Sequence, residues 1–200
     1  LQLPYIYSAS QISVQSALTD EWFDSPVAID EPYRRSVDPD FKTYIPPLEA
    51  RRMGKILKRA IVTSMSAQEN SGCEKVDAII TGTGLGCIEN TEFFLDARSR
   101  DGEQLLKPTY FMQSTHNTIS SLVGIKMKCN GYNITYAHKE LSFESAMYDA
   151  WLQLRLGMIG SALVGGHDEM TPSYFKLLEK AGYLGQESEL AGETAVSFVI

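Results

Sequence analysis

The sequence predicts an α/β sandwich built around a largely parallel sheet, and three observations predict it. Short apolar runs rich in β-branched and aromatic residues recur along the chain, each bounded by Gly, Asn or charge, as buried strands are. Between them lie stretches whose apolar residues return every three to four positions, the period of a helix packed on one face. The chain has 200 residues, 44% hydrophobic and 22% charged, which suffices for one ordinary core without disulfide or metal support. Strands alternating with helices place helices over the faces of a parallel sheet, and a single domain over residues 1–200 accommodates them.

Five runs read as strands: YIYSASQISV near the start, VDAIITGTG at 76–84, YNITYA at 132–137, SALVGG at 161–166 and TAVSFVI at 194–200. The first helix is marked by Met53, Ile56, Leu57, Ala60, Ile61, Ser64 and Met65, which fall on one continuous face. A second carries Phe143, Met147, Ala150, Trp151 and Leu154 on one side. A third lies within 171–182, where Thr171 can cap, Pro172 suits the first helical position and Gly182 can end the helix. Segment 18–47 holds Pro26, Pro32, Pro39, Pro46 and Pro47 and keeps no period, so it reads as a long irregular excursion, an arm available to a partner. Segment 96–113 reads as a second polar connection.

The net charge of −7 argues against broad binding to nucleic acid or to an anionic membrane. No run approaches the roughly 18 apolar residues of a membrane span, and the start lacks the basic region of a signal peptide, so a cytoplasmic chain is expected. Cys73, Cys87 and Cys129 are odd in number and lack C-x-x-C spacing, which suits idle thiols better than a zinc site or disulfides. TGTGLG at 81–86 follows a strand, but Gly82, Gly84 and Gly86 give G-x-G-x-G rather than the dinucleotide spacing, so the glycines are read as tight packing at a turn. No cofactor is implied. His116, His138 and His167 sit in three separate segments and read as polar residues at element ends. Spacing alone does not make a triad of Ser142, His138 and Asp168. Arg51, Lys55 and Lys58, flanked by Arg52 and Arg59, form a basic stripe on the exposed face of the first helix: a solvated face or a docking surface for an acidic partner.

Five blocks carry a resemblance: LEARRMGKILKRA, VDAIITGTGLGCIENTEFFLD, PTYFMQSTHNTISSLVGIKMKCNGYNITYA, LRLGMIGSALVGGHDEMT and GETAVSFVI. In that order they resemble the N-terminal half of β-ketoacyl-acyl-carrier-protein synthases, over roughly residues 45–200. The resemblance implies a thiolase-like half: a five-stranded mixed sheet flanked by helices. The expected strand order is 3-2-1-4-5, with strand 132–138 at an edge and strand 194–200 antiparallel to its neighbour.

The same resemblance implies two departures from a working synthase. The family's nucleophilic Cys stands seventeen residues before the Gly of the turn into the fourth strand, and counting back from Gly157 reaches Glu140, with Lys139, Leu141 and Ser142 as neighbours. A thiolate at a helix start attacks a thioester, whereas a carboxylate forms at best a labile anhydride. The family's two catalytic histidines come from C-terminal H-G-T-G-T and N-x-F-G-F-G-G motifs, and neither occurs in these residues.

The chain therefore looks like a non-catalytic, chain-length-factor-like subunit, similar to short ketosynthase homologues of aryl polyene and flexirubin-type pathways. It is expected to form a homodimer, or a heterodimer with a full-length ketosynthase, and to meet an acyl carrier protein. The implied docking residues are Arg51, Arg52 and Lys55, and the implied partner edge is Ile134, Tyr136 and Phe143. Two alternatives stay open: a stand-alone acyltransferase or thioester decarboxylase using Glu140 with His138 or His167, and an acyl- or lipid-binding module.

Overall fold

In the computed structural model, which describes residues 3–103, 106–184 and 191–200, the five apolar runs share one mixed sheet. Its centre is β3 (Ala78–Gly82) beside β5 (Ala162–Asp168), parallel to each other and buried along almost their whole length. β4 (Tyr132–Tyr136) pairs parallel with β3 and forms one edge. On the other side β7 (Thr194–Val199) runs antiparallel to β5, and β1 (Ser8–Ile12) pairs antiparallel with β7 at the far edge.

The edge position of β4 and the reversed direction of β7 follow the expectation; the strand order does not. Numbered as the five runs, the sheet reads 3-2-4-5-1, so the first strand is an edge and not the centre. The reason is in the residues. AIITG and ALVGG offer apolar or glycine residues to both faces, as a central parallel strand must, whereas SASQI alternates with polar side chains and suits an edge covered chiefly on one side. Two further strands, β2 (Tyr33–Arg34) and β6 (Ala191–Gly192), make a separate parallel pair.

Seven α-helices surround these strands among the described residues: α1 (Pro47–Ala50), α2 (Lys55–Ser71), α3 (Ile88–Asp101), α4 (Pro108–Met112), α5 (Thr118–Met127), α6 (Ser142–Arg155) and α7 (Pro172–Lys180). Successive residues of a strand face opposite ways. Ile12, Ile79, Leu163, Ala195 and Val199 thus meet α2 and α5, and Ala78, Ile80, Ala162 and Val164 meet Ala146 and Ala150 of α6. α2 closes at Gly72, whose φ of 70° is the left-handed cap that glycine adopts without strain. α7 starts as its sequence indicates, with the Thr171 hydroxyl accepting from the Tyr174 amide and Pro172 in the first turn.

Two connections differ from expectation. Segment 18–47 is not wholly a free arm: Tyr33 packs on Phe175 of α7, and residues 38–45 form a strap across α2. Ile45 is fully buried, Phe41 and Tyr44 pack on the core, and the guanidinium of Arg59 joins Asp38 of the strap to Glu193 beside β7. Glu193 in turn accepts from the amide and hydroxyl of Ser36. Arg59, only 1% exposed, is therefore not part of a solvent-facing stripe, and Lys58 lies over the ring of Phe41. A basic residue on the outer face of a helix is buried when the chain supplies carboxylates to receive it, which helical periodicity does not reveal. Segment 96–113 is largely helical, because Phe93 and Phe94 of α3 pack against Tyr110 and Phe111 of α4; residues 104–105 lie outside the described residues.

Candidate functional site

The parallel strands β3, β4 and β5 end on the same side of the sheet, and the turns that follow them converge there: 83–87, 137–141 and 168–171. Crevices at the carboxyl ends of parallel strands are where such sheets place their chemistry. The turns touch through glycine. A Cβ on Gly82 would run into the backbone of Ser142, and one on Gly84 would stand 2.9 Å from the Lys139 carbonyl oxygen. The TGTGLG run thus lets the turn after β3 lie against the turn before α6.

Carboxylates pin this contact. Asp168, at the end of β5, accepts from the Thr83 hydroxyl at 2.8 Å and from the Gly84 and Leu85 amides at 2.9 and 2.8 Å. Burial raises its pKa, while these bonds and the nearby His116 work the other way. Glu169 accepts from the Glu89 amide at 3.1 Å in the first turn of α3, and burial pushes its carboxyl up to about 7. Thr171 donates to Glu92. Asp168 at the end of β5 thereby holds the turn after β3, and Glu169 and Thr171 hold the start of α3. The clue was the pair Asp168–Glu169 following a strand beside a glycine turn, since free amides there call for acceptors.

Glu140 lies in a one-turn helix, Lys139–Leu141, that leads directly into α6. It is exposed, and Lys139 before it has a φ of 55°, a left-handed conformation uncommon outside glycine. Ser142 knots the turn together: its hydroxyl accepts from the His138 amide and lies 2.6 Å from the Lys139 carbonyl oxygen. The ring of His138 bonds Ser145 at 3.0 Å, so Ser142, His138 and Asp168 each have other partners and form no triad.

His167 is the last residue but one of β5, near the element end that its spacing suggests, yet inside the sheet. It stands within β5 with no exposed surface, neither ring nitrogen has a partner among the described residues, and burial pushes its pKa down to about 3. Its neutral ring lies over Gly165, where any side chain would collide with it.

The thiols are placed away from attack. Cys87 precedes α3 but is fully buried, and desolvation together with Glu169 raises its pKa to about 12. Cys73 and Cys129 donate to the carbonyls of Lys75 and Val76, at the opposite end of β3. Among the described residues no group of three or more His, Cys, Asp or Glu side chains could hold a metal ion. No helix among them is long and apolar enough to cross a membrane.

The edge residues Ile134 and Tyr136 lie half-buried on β4, and the ring of Phe143 at the start of α6 lies tilted against that of Phe198, 5.8 Å between centroids. Burial raises the Tyr136 hydroxyl to about 12, with Asp149 adding to the effect. Arg51 and Arg52 are exposed in the turn between α1 and α2 and form no ion pair among the described residues, whereas Lys55 is bound to Glu89 at 3.0 Å.

Residues 17–195 match the family model described as "Beta-ketoacyl synthase, N-terminal domain". The 3-oxoacyl-[acyl-carrier-protein] synthase 2 of Mycobacterium leprae is 29% identical over 131 residues, which are 64% of this chain and 31% of that protein. The chain thus spans about a third of the length of that relative. A structure of the ketosynthase ApeO in complex with its chain length factor ApeC, from Xenorhabdus doucetiae, has a TM-score of 0.76 at 21% identity and covers 100% of this chain and 79% of that one. The complex AntDE:AntF, a type II PKS acyl-carrier protein with its ketosynthase, has a TM-score of 0.80 at 15% identity, covering 97% and 61%. These likenesses show the fold. The family match, spanning most of the chain and both flanks of the converging turns, shows that the chain belongs to the β-ketoacyl synthase N-terminal domain family.

Proposed function

We propose that the chain is a non-catalytic, chain-length-factor-like subunit that pairs with an active ketosynthase served by an acyl carrier protein. The observation that carries this reading is Glu140: the turn into α6, where the family's nucleophile belongs, presents a carboxylate at the surface. The surroundings support it. Cys87, the thiol held by the same group of turns, is protonated and enclosed, and the Gly84 and Leu85 amides that could steady an oxyanion are spent on Asp168.

The acyltransferase alternative is less well supported, because the His138 ring is engaged by Ser145 and His167 is sealed inside the sheet. Partner pairing falls to the free edge of β4, whose outward N–H and C=O groups can extend a ladder, with Ile134, Tyr136 and Phe143 beside it. Arg51 and Arg52 remain the exposed cations for an acidic carrier protein, while Lys55 acts mainly through Glu89. A cytoplasmic location goes with this reading, as do aryl polyene-type pathways.

The test is direct. Incubated with acyl-thioester, the purified chain should gain no acyl mass on Glu140 or any Cys, and it should change product length only when a cognate ketosynthase and loaded carrier protein are added. Ketoacyl product from the chain alone would overturn the proposal.

A further inference from the structure

The sheet face beneath α2 and α5 carries a polar row that crosses all five strands. Ser10 pairs with Ser197, Ser197 with Gly165, Gly165 with Thr81 and Thr81 with Thr135, so the row runs through β1, β7, β5, β3 and β4 in turn. The first four stand two positions from Ile12, Val199, Leu163 and Ile79, residues already placed on that face, and therefore face the same way. Thr135 joins them through Ser120 of α5, 2.7 Å away. Gly165 has no side chain of its own. The imidazole of His167, two residues on, lies over it, with Nε2 the ring atom nearest the point a Cβ would occupy. Ser10, Ser197, Thr81 and His167 are all buried, and neither ring nitrogen has a partner among the described residues.

The hydroxyl protons beside this row have one consistent arrangement. A carbonyl oxygen only accepts, so Thr63 of α2 gives its proton to the carbonyls of Arg59 and Ala60. Ser197, 3.0 Å from Thr63, must then donate to it and accept from Ser64 at 3.2 Å. On the other side Ser120 donates to the Asn117 carbonyl at 3.1 Å, so Thr135 donates to Ser120 at 2.7 Å and Thr81 to Thr135 at 3.3 Å. Both series of protons point away from the middle. Ser197 and Thr81 thus have only acceptor lone pairs left for the space above Gly165, one from the strand on either side. A single imidazole N–H cannot serve both acceptors. A water molecule donates two protons and accepts besides, and buried waters typically make about three such bonds to polar groups that lack partners.

We propose that one ordered water sits beside Nε2 of His167, donating to Ser197 Oγ and Thr81 Oγ1 and accepting from the Nε2–H, which fixes the ring as the Nε2–H tautomer. Nδ1 is then an acceptor without a partner, a lesser fault in a protein interior than an orphaned N–H. The water ties β7, β5 and β3 together one residue before Asp168, whose carboxylate holds the turn after β3.

A crystal structure of the purified chain is the first test. One density peak within about 2.7–3.2 Å of Nε2, Ser197 Oγ and Thr81 Oγ1 is expected. Long-range proton–nitrogen spectra of the labelled chain at neutral pH should show Nε2 protonated and Nδ1 bare. Oxygen-17 relaxation dispersion, which counts waters held inside a protein, should find one fewer in Thr81→Val and in His167→Leu than in the parent, with circular dichroism confirming that each variant is folded. The peak and the tautomer are read on the parent, so the proposal can fail even if a variant does not fold. A direct bond from Nε2 to either hydroxyl with no intervening peak overturns it, as does an Nδ1–H tautomer. A water bound only at Ser10, or a count unchanged in both variants, overturns it too.

Discussion

The two faces of the sheet are covered to very different degrees. Against the α2 face, seventeen fully or nearly fully buried apolar residues form one core, and the strap formed by residues 38–45 is drawn over the helix and fastened by the Arg59 guanidinium. Against the opposite face, α6 contributes two of only seven such residues, with Tyr148 and Trp151 facing out. Among the described residues the same device, an amphipathic helix on a sheet, is thus covered on one side and carries an aromatic surface on the other. Burial of the inner side of a helix says nothing about its outer side. What distinguishes the two is whether the described residues supply a cover.

The largest expected effect lies on the covered face. Arg59→Met leaves Glu193 buried and Asp38 half-buried without their cation, which should cost about 3 kcal/mol in urea unfolding. Adding Glu193→Gln should recover part of that loss. A single variant as stable as the parent would mean that the strap is held by its apolar anchors Phe41 and Ile45 alone.

A second contrast is electrostatic. The folded pKa of His167 is lowered from 6.5 to about 3, so its contribution is intact above 6.5 and is lost as pH falls toward 3. The folded pKa of Glu169 is raised from 4.5 to about 7, so stability falls as pH rises from 4.5 through 7. Between 4.5 and 6.5 the two slopes oppose each other, each about 1.4 kcal/mol per pH unit at most. Stability should therefore be nearly level there. Glu169→Gln, which keeps an acceptor for the Glu89 amide, should expose a loss on acidification, and His167→Leu the reverse. Parallel profiles for both variants would remove this account.

The smallest effect belongs to the open face. Tyr148→Ser, measured at concentrations where the chain is monomeric, should shift stability by no more than about 0.5 kcal/mol, because the ring is mostly in solvent. A loss of several kcal/mol would show that the Tyr148–Trp151 pair braces its own domain and that the two faces are alike.

Much of the fold was legible in the residues. All five strands of the main sheet, the inner faces of α2 and α6 and the start of α7 carry local signals of period, β-branching or capping. Pairing order is not local. Nothing within SASQI names TAVSF as its neighbour, and only the two-sided burial available to AIITG and ALVGG decides which strands take the centre. The candidate site was partly legible. Counting back from Gly157 singles out Glu140 as a candidate only through the family resemblance, whereas the close packing at Gly82 and Gly84 could be read from the glycine spacing. The grip of Asp168 and Glu169 on the turn after β3 joins residues about eighty positions apart, and Arg59 reaches partners 21 and 134 positions away. Side chains recruited across such distances leave no periodic trace.

The position of β7 bears on how the molecule comes into being. It is inserted between β5 and β1, so the strand made first has no seat until residues 194–199 exist. Glu193, just ahead of it, is also the last member of the Arg59 cluster to be synthesised. A ribosome-bound chain can pair β3, β4 and β5 early, but β1 and the strap must wait in an unfinished state. Long-range closure of this kind slows folding and prolongs the exposure of apolar segments. Removal of residues 194–200 would accordingly take β1 with it and strip two strands from one side of the sheet.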